Sequence, residues 1–149
     1  MEKKKYLFHG SNKKIEGNLI PKKATDLGKI KENSYSGIYA SDFINEALAM
    51  GILKGPGING GSIVRGKPDG IPAIDAVMYG GFPEKQYFYL YTFSSKNFKN
   101  IPKGSTQWIS SKPVKPLKIE KMRIKDYLHL IRKATKKEKE EWFKNYRTK

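Results

Sequence analysis

Cysteine is missing from this chain of 149 residues, which excludes disulfides, thiolate metal sites and a cysteine nucleophile. That composition fits a reducing compartment. Histidine occurs only twice, as His9 and His129, and neither has a cluster of acids beside it in the sequence. No metal site is expected from so few ligands, and no Ser-His-Asp arrangement is supported. No apolar run approaches the roughly 18 residues that a membrane span requires. The start, Met1-Glu2-Lys3-Lys4-Lys5, is followed by three apolar residues before His9, too few for a signal-peptide core. The expectation is a cytoplasmic, monomeric protein with no membrane partner.

Acid is also scarce. Fourteen Asp and Glu face 30 Lys and Arg, giving a formal charge of +16. Such a charge attracts polyanions, and non-specific, salt-sensitive association with nucleic acid is expected. Only Arg65, Arg123, Arg132 and Arg147 are arginines, whereas bidentate reading of bases and phosphates favours arginine over lysine. The charge therefore argues for general anion attraction more than for sequence-specific reading. One functional alternative follows from it, a basic nucleic-acid-binding module without catalysis.

Hydrophobic residues make up 38% of the chain, with nine tyrosines and seven phenylalanines, enough for one globular domain spanning 1–149. Residues 5–8 read as a buried strand, and Ser11 to Asn18 as a turn or short helix. A polar loop runs over Lys22–Tyr35, and a second strand covers Gly37–Ala40. Ser41 or Asp42 is placed to cap a helix running through Ala47 to Leu53, with apolar residues at helical spacing. Gly55-Pro56-Gly57-Ile58-Asn59-Gly60 spells G-x-G-x-x-G but lacks the preceding strand and following helix of a dinucleotide fingerprint. It reads instead as a flexible loop or lid. Residues 66–72 read as irregular.

Gln86 to Phe93 is the most strongly strand-forming stretch, aromatic or β-branched at nearly every position. Tyr87, Tyr89 and Tyr91 alternate along it, as core residues or as a base-stacking row. Asn97 to Gly104 reads as a loop. Thr106–Ser110 and Val114–Ile124 read as strands, the second with a bulge between Ile119 and Met122 and an edge position signalled by Pro113 and Pro116. From Asp126 the spacing of Tyr127, Leu130, Ile131 and Ala134 predicts a helix. Thr135-Lys136-Lys137-Glu138 has the form of a capping box opening a second helix that carries Trp142, Phe143 and Tyr146. Strands dominate without βαβ order, so the class is α+β.

Two short stretches carry the functional signal: Tyr6-Leu7-Phe8-His9-Gly10-Ser11, and Ser36-Gly37-Ile38-Tyr39-Ala40-Ser41. Each delivers a ring at a strand end beside small residues. In this order they resemble the ADP-ribosyltransferase superfamily, the branch of poly(ADP-ribose) polymerases and diphtheria-type toxins whose signature is His, Tyr and Glu on three strands. The resemblance covers residues 5–50 well and the rest loosely. It implies two small packed, mainly antiparallel sheets with peripheral helices and a C-terminal helical segment. It also implies NAD as substrate and ADP-ribose transfer to an acceptor.

By that resemblance His9 would hydrogen-bond the nicotinamide-side ribose, Gly10 would meet the carboxamide through its backbone, and Tyr39 would stack on the nicotinamide. Ser11, Gly37 and Ser41 would complete the NAD-binding set. The third motif departs from the pattern. The glutamate position aligns with Gln107, or in another register with Ile109. Gln107 would keep the ribose hydrogen bond without the charge, which makes binding without efficient transfer the expectation. Glu84 and Glu120 are the other acids considered for the role. The second wall of the nicotinamide slot falls at Met50, with Tyr35 or Tyr91 as substitutes.

Overall fold

A computed structural model describes residues 6–14, 22–23, 36–66 and 68–146. The fold is α+β, with two mainly antiparallel sheets and two helices among the described residues. The larger sheet is organised by two strands, β1 (Tyr6–Ser11) and β6 (Tyr87–Ser94), joined by an unbroken antiparallel ladder from Tyr6↔Ser94 to Ser11↔Tyr89. Around this pair stand β2 (Lys22–Lys23), β3 (Ser36–Ser41), β7 (Lys99–Asn100), β8 (Gln107–Ser110) and β9 (Lys118–Arg123). The order is β7-β8-β3-β1-β6-β9, with β2 paired to β3.

The aromatic run of β6 forms this central strand because both of its faces are covered. Phe88 and Leu90 pack under the helix α1 (Ile44–Leu53), together with Ala47, Leu48 and Ile52. Tyr91 and Phe93 point to the other side, where they meet Leu7, Ile38, Ala40, Phe98 and Trp108. Tyr91 and Phe93 are wholly buried. Burying such a side chain contributes about 1.5–3 kcal/mol.

The smaller sheet has the order β10-β5-β4, built from β4 (Gly61–Gly66), β5 (Ala73–Met78) and β10 (Ile131–Lys133). β4 and β5 are antiparallel, whereas β10 runs parallel to β5. α1 joins the two layers: Ala49 and Leu53 pack with Ala76 and Met78 of β5, while its other side rests on the larger sheet. A helix enclosed in this way must be apolar on most sides, and INEALAMGIL is. Gly10 and Gly51 allow the closest approach. A Cβ at Gly10 would overlap the Ala47 carbonyl oxygen and lie 2.8 Å from the Gly51 nitrogen.

Several sequence expectations change here. The helix expected from Asp126 is two 3-10 turns, Ile124–Asp126 and Leu128–Leu130, followed by strand β10. Consecutive 3-10 turns place apolar residues at three-residue spacing, which mimics a helical stripe. The bulge expected between Ile119 and Met122 is absent: the ladder of β9 with β6 is continuous from Thr92↔Lys118 to Tyr87↔Arg123. β9 does form a sheet edge. A two-residue strand, β7, interrupts the loop expected over Asn97–Gly104.

The glycine-rich 55–60 stretch is a pinned turn rather than a lid. The Phe82 amide donates to the Gly57 carbonyl, Asn59 to Gly80, Tyr79 to Gly60 and Glu84 to Pro56, all within 3.0 Å. Gly57 and Gly60 adopt positive φ, +95° and +102°, which L side chains rarely tolerate.

The second helix, α2 (Lys136–Tyr146), starts at the expected capping box. The Thr135 amide donates to Glu138 Oε1 at 2.8 Å and the Glu138 amide to Thr135 Oγ1 at 3.2 Å. Trp142 stacks on Tyr79, with ring centroids 4.4 Å apart and planes 5° from parallel. No helix among the described residues is long and apolar enough to cross a membrane. The expected turn at Ser11–Asn18 falls half outside the described residues, with Ser11 closing β1, and the loop Lys22–Tyr35 falls almost wholly outside them.

Candidate functional site

β1 and β3 are antiparallel neighbours, but the ladder between them registers at a single pair, Phe8↔Ser41. Beyond it, toward Gly10 and Tyr39, the strands no longer pair. His9 closes the gap: its Nδ1 donates to the Tyr39 backbone carbonyl at 2.8 Å. A carbonyl can only accept, so Nδ1 carries the proton, and in the neutral imidazole Nε2 is then the acceptor nitrogen. Tyr91 steadies the ring from the side in a T-shaped contact at 5.8 Å. The same Tyr91 donates its hydroxyl to the Lys13 carbonyl at 2.7 Å.

Strand alternation assigns the side chains to faces. Phe8 and Ser41 share a face as a direct pair, so Gly10 and Tyr39 lie on that same face, toward α1. His9 belongs to the other face, beside Tyr91 and Phe93. The imidazole and the phenol ring therefore leave opposite faces of the sheet at the point where β1 and β3 separate. What unites them is the His9–Tyr39 backbone contact. Both residues are half-buried.

Gln107 stands one strand further, at the start of β8, opposite Ser41 of β3. It is 5% exposed. Its Oε1 accepts from Arg65 Nη2 at 2.9 Å and its Nε2 donates to the Ile101 carbonyl at 2.9 Å. Both ends of the amide are thus used within the protein. Ile109, the other register considered, is a buried residue opposite Tyr39.

Two residues that sequence reading passed over complete this corner. Glu46, in the first turn of α1, is 3% exposed and accepts from Ser41 Oγ at 2.8 Å and Thr106 Oγ1 at 2.6 Å. Its second oxygen is paired with Arg65 Nη1 of β4. Arg65 therefore links a buried carboxylate to Gln107 and ties the smaller sheet to the larger one. The available signal was Glu46 itself, the one charged residue in an otherwise apolar helix. A buried acid is retained only where several donors hold it.

The remaining expected residues fall as follows. Ser11 is half-buried, and its Oγ accepts from the Lys13 amide at 3.1 Å. Gly37 is packed against Ile109, with the Ser110 carbonyl 3.0 Å from where a Cβ would stand. Ser41 is buried, binding Glu46 and accepting from the Phe43 amide at 2.9 Å rather than capping α1 by itself. Met50 is half-buried and Tyr91 belongs to the core. Tyr35 lies outside the described residues. Glu84 and Glu120 are exposed, the second 3.5 Å from Lys118. His129 is exposed on a 3-10 turn. No group of acids and histidines among the described residues could hold a metal ion.

No family model, curated protein or solved structure matches this chain.

Proposed function

We propose that the chain is an ADP-ribosyltransferase-like protein that binds NAD or ADP-ribose through the notch between β1 and β3, with weak transfer of ADP-ribose. The observation that carries this reading is the His9–Tyr39 contact where the two strands separate. It fixes the histidine tautomer so that Nε2 accepts, the role that a ribose hydroxyl would require. Because the two rings leave opposite faces of the sheet, in this reading the nicotinamide stacks on the Tyr39 face and the ribose reaches His9 Nε2 past the strand ends. Gln107, on the strand next to β3, supports the three-strand arrangement of the resemblance.

Weak transfer follows from charge. An oxocarbenium-like transition state is stabilised by a preorganised carboxylate aimed at it. Here the glutamate position holds a neutral amide already engaged by Arg65 and Ile101, and the nearby Glu46 carboxylate is neutralised by Arg65. Binding energy remains while the aimed charge is gone.

Calorimetric titration with NAD and with ADP-ribose tests the reading. Weak binding is expected in wild type. Tyr39→Ala should lose about 1–3 kcal/mol if the ring stacks on the nicotinamide as aromatics stack on bases, and His9→Ala should lose most of the remainder. Absence of heat with millimolar ligand, or equal affinity in both variants with their folds intact, would overturn it.

A further inference from the structure

On the opposite side of β6 from β1, an open groove of about 450 Å³ runs between the 82–86 loop and the 123–128 turns. None of its lining residues belongs to the His9–Tyr39–Gln107 set. Two aromatic rings stand at it in solvent: Phe82 is 55% exposed and Tyr87 is 38% exposed. Apolar residues exposed singly need no explanation, but these two rings stand together at one groove. Tyr87 closes the row predicted as core or stacking platform, and the structure divides that row. Tyr91 is buried, Tyr89 is half-buried, and Tyr87 reaches solvent.

The charge around these rings is mainly positive. Arg123 is the direct cross-strand partner of Tyr87, and Lys121 Nζ sits 4.2 Å from the centroid of the Tyr87 ring. Lys85 and Lys125 line the same groove, and Glu84 is the one acid among its lining residues. Among the described residues, Lys85, Arg123 and Lys125 make no ion pair. Elsewhere the protein pairs its exposed arginine carefully, as at Arg132, which holds both Asp75 and Glu138.

We propose that this groove binds single-stranded nucleic acid, with bases stacked on Phe82 and Tyr87 and the phosphate backbone held by Lys85, Arg123 and Lys125. The chemistry selects a single strand. The exposed Phe82 ring and the part of the Tyr87 ring that Lys121 does not cover, combined with the cations of the groove, satisfy unpaired bases and phosphates together, whereas a duplex hides its base faces. Arg123 beside Tyr87 adds a planar donor fork suited to phosphate. The site stands on these observations alone and does not depend on NAD binding.

Fluorescence anisotropy with labelled oligo-dT and oligo-rU of equal length, in low salt, tests it on the full chain. Phe82→Ala should weaken binding by between about fivefold and a hundredfold, the range for loss of one base–aromatic stack, and Phe82→Trp should retain it. Arg123→Ala should lower the salt slope by about 0.7, one phosphate contact on a single strand. Lys139→Ala, the same charge change on the exposed face of α2, should leave the slope near wild type. Phe82 is exposed, so its variants should melt with wild type, and a melting scan verifies this. Equal losses in Arg123→Ala and Lys139→Ala, or unchanged affinity in Phe82→Ala, would assign binding to the diffuse +16 charge and overturn the site. A duplex that bound as tightly as the single strands would do the same.

Discussion

Arg65 and Glu46 are nineteen positions apart and belong to different layers, yet their side chains form a partly buried ion pair that ties β4 to the first turn of α1. The Glu46 carboxylate also receives Ser41 and Thr106, so it gathers β3, β4 and the approach to β8 at one point. Removing one partner of such a pair leaves an uncompensated buried charge, which typically costs about 3–5 kcal/mol. Arg65→Ala, which leaves the buried Glu46 carboxylate without its cation, should therefore lower the urea unfolding free energy by about that amount. A loss below about 1 kcal/mol, the range of a surface pair, would show that the network relaxes freely.

Gln107→Glu distinguishes size from chemistry. Glutamate fits the volume, and one of its oxygens would accept from Arg65 as the amide oxygen does. The other would replace Nε2, which donates to the Ile101 carbonyl, and would place two acceptors face to face. Leaving that acceptor without its donor should cost about 1–3 kcal/mol of stability. Because Arg65 would pair with the new carboxylate, nicotinamide release should rise by less than about tenfold. A rise of ~10²–10³, the scale of one aimed electrostatic group, would mean that the carboxylate faces the reacting ribose rather than Arg65.

Gly10 should be intolerant of any side chain. A Cβ there would overlap the Ala47 carbonyl and crowd the Gly51 backbone, neither of which is a flexible side-chain end. Overpacking of this kind costs about 1–3 kcal/mol, and Gly10→Ala should show at least that loss in thermal unfolding. An unchanged melting temperature would mean that α1 slides on β1 without penalty. The glycine at this place is accounted for by helix packing, whatever it does for a ligand.

The sequence announced the elements whose pattern is carried within a few residues. The alternating aromatics of β6, the helical spacing of α1 and the reciprocal cap of Thr135 and Glu138 are local signals, and each element stands where its pattern put it. The smaller sheet was harder to read. β4 is GSIVRG, bounded by glycines and half-exposed, and β5 carries Asp75 in its middle. β10 is three residues long and becomes a strand only because β5 offers it a parallel edge. The site divides in the same way. His9 and Tyr39 declare themselves through strand-end motifs, whereas the Glu46–Arg65–Gln107 link depends on tertiary approach across 19 and 42 positions, for which no spacing rule exists.

The ion cluster at the start of α2 gives a pH prediction whose sign is fixed. Side-chain hydrogen bonds from Arg132, and then the Thr135 amide, hold the Glu138 carboxyl at about 2, well below its usual 4.5. Asp75 is lowered in the same direction, chiefly by its hydrogen bonds from Arg132. A carboxylate depressed in the folded state contributes stability above its unfolded pKa and loses it as pH falls through the folded one. Glu138 therefore contributes fully above about pH 4.5, and its contribution fades between there and about pH 2. Glu138→Gln isolates the charge, because glutamine can still accept from the Thr135 amide in the capping box. Wild type should melt higher than this variant near neutral pH, and the gap should narrow steadily below about pH 4.5. Since the cluster is exposed, the gap should also shrink in high salt. Equal melting temperatures of wild type and Glu138→Gln near neutral pH would mean that Glu138 acts through its cap alone, with the Arg132 pair contributing nothing.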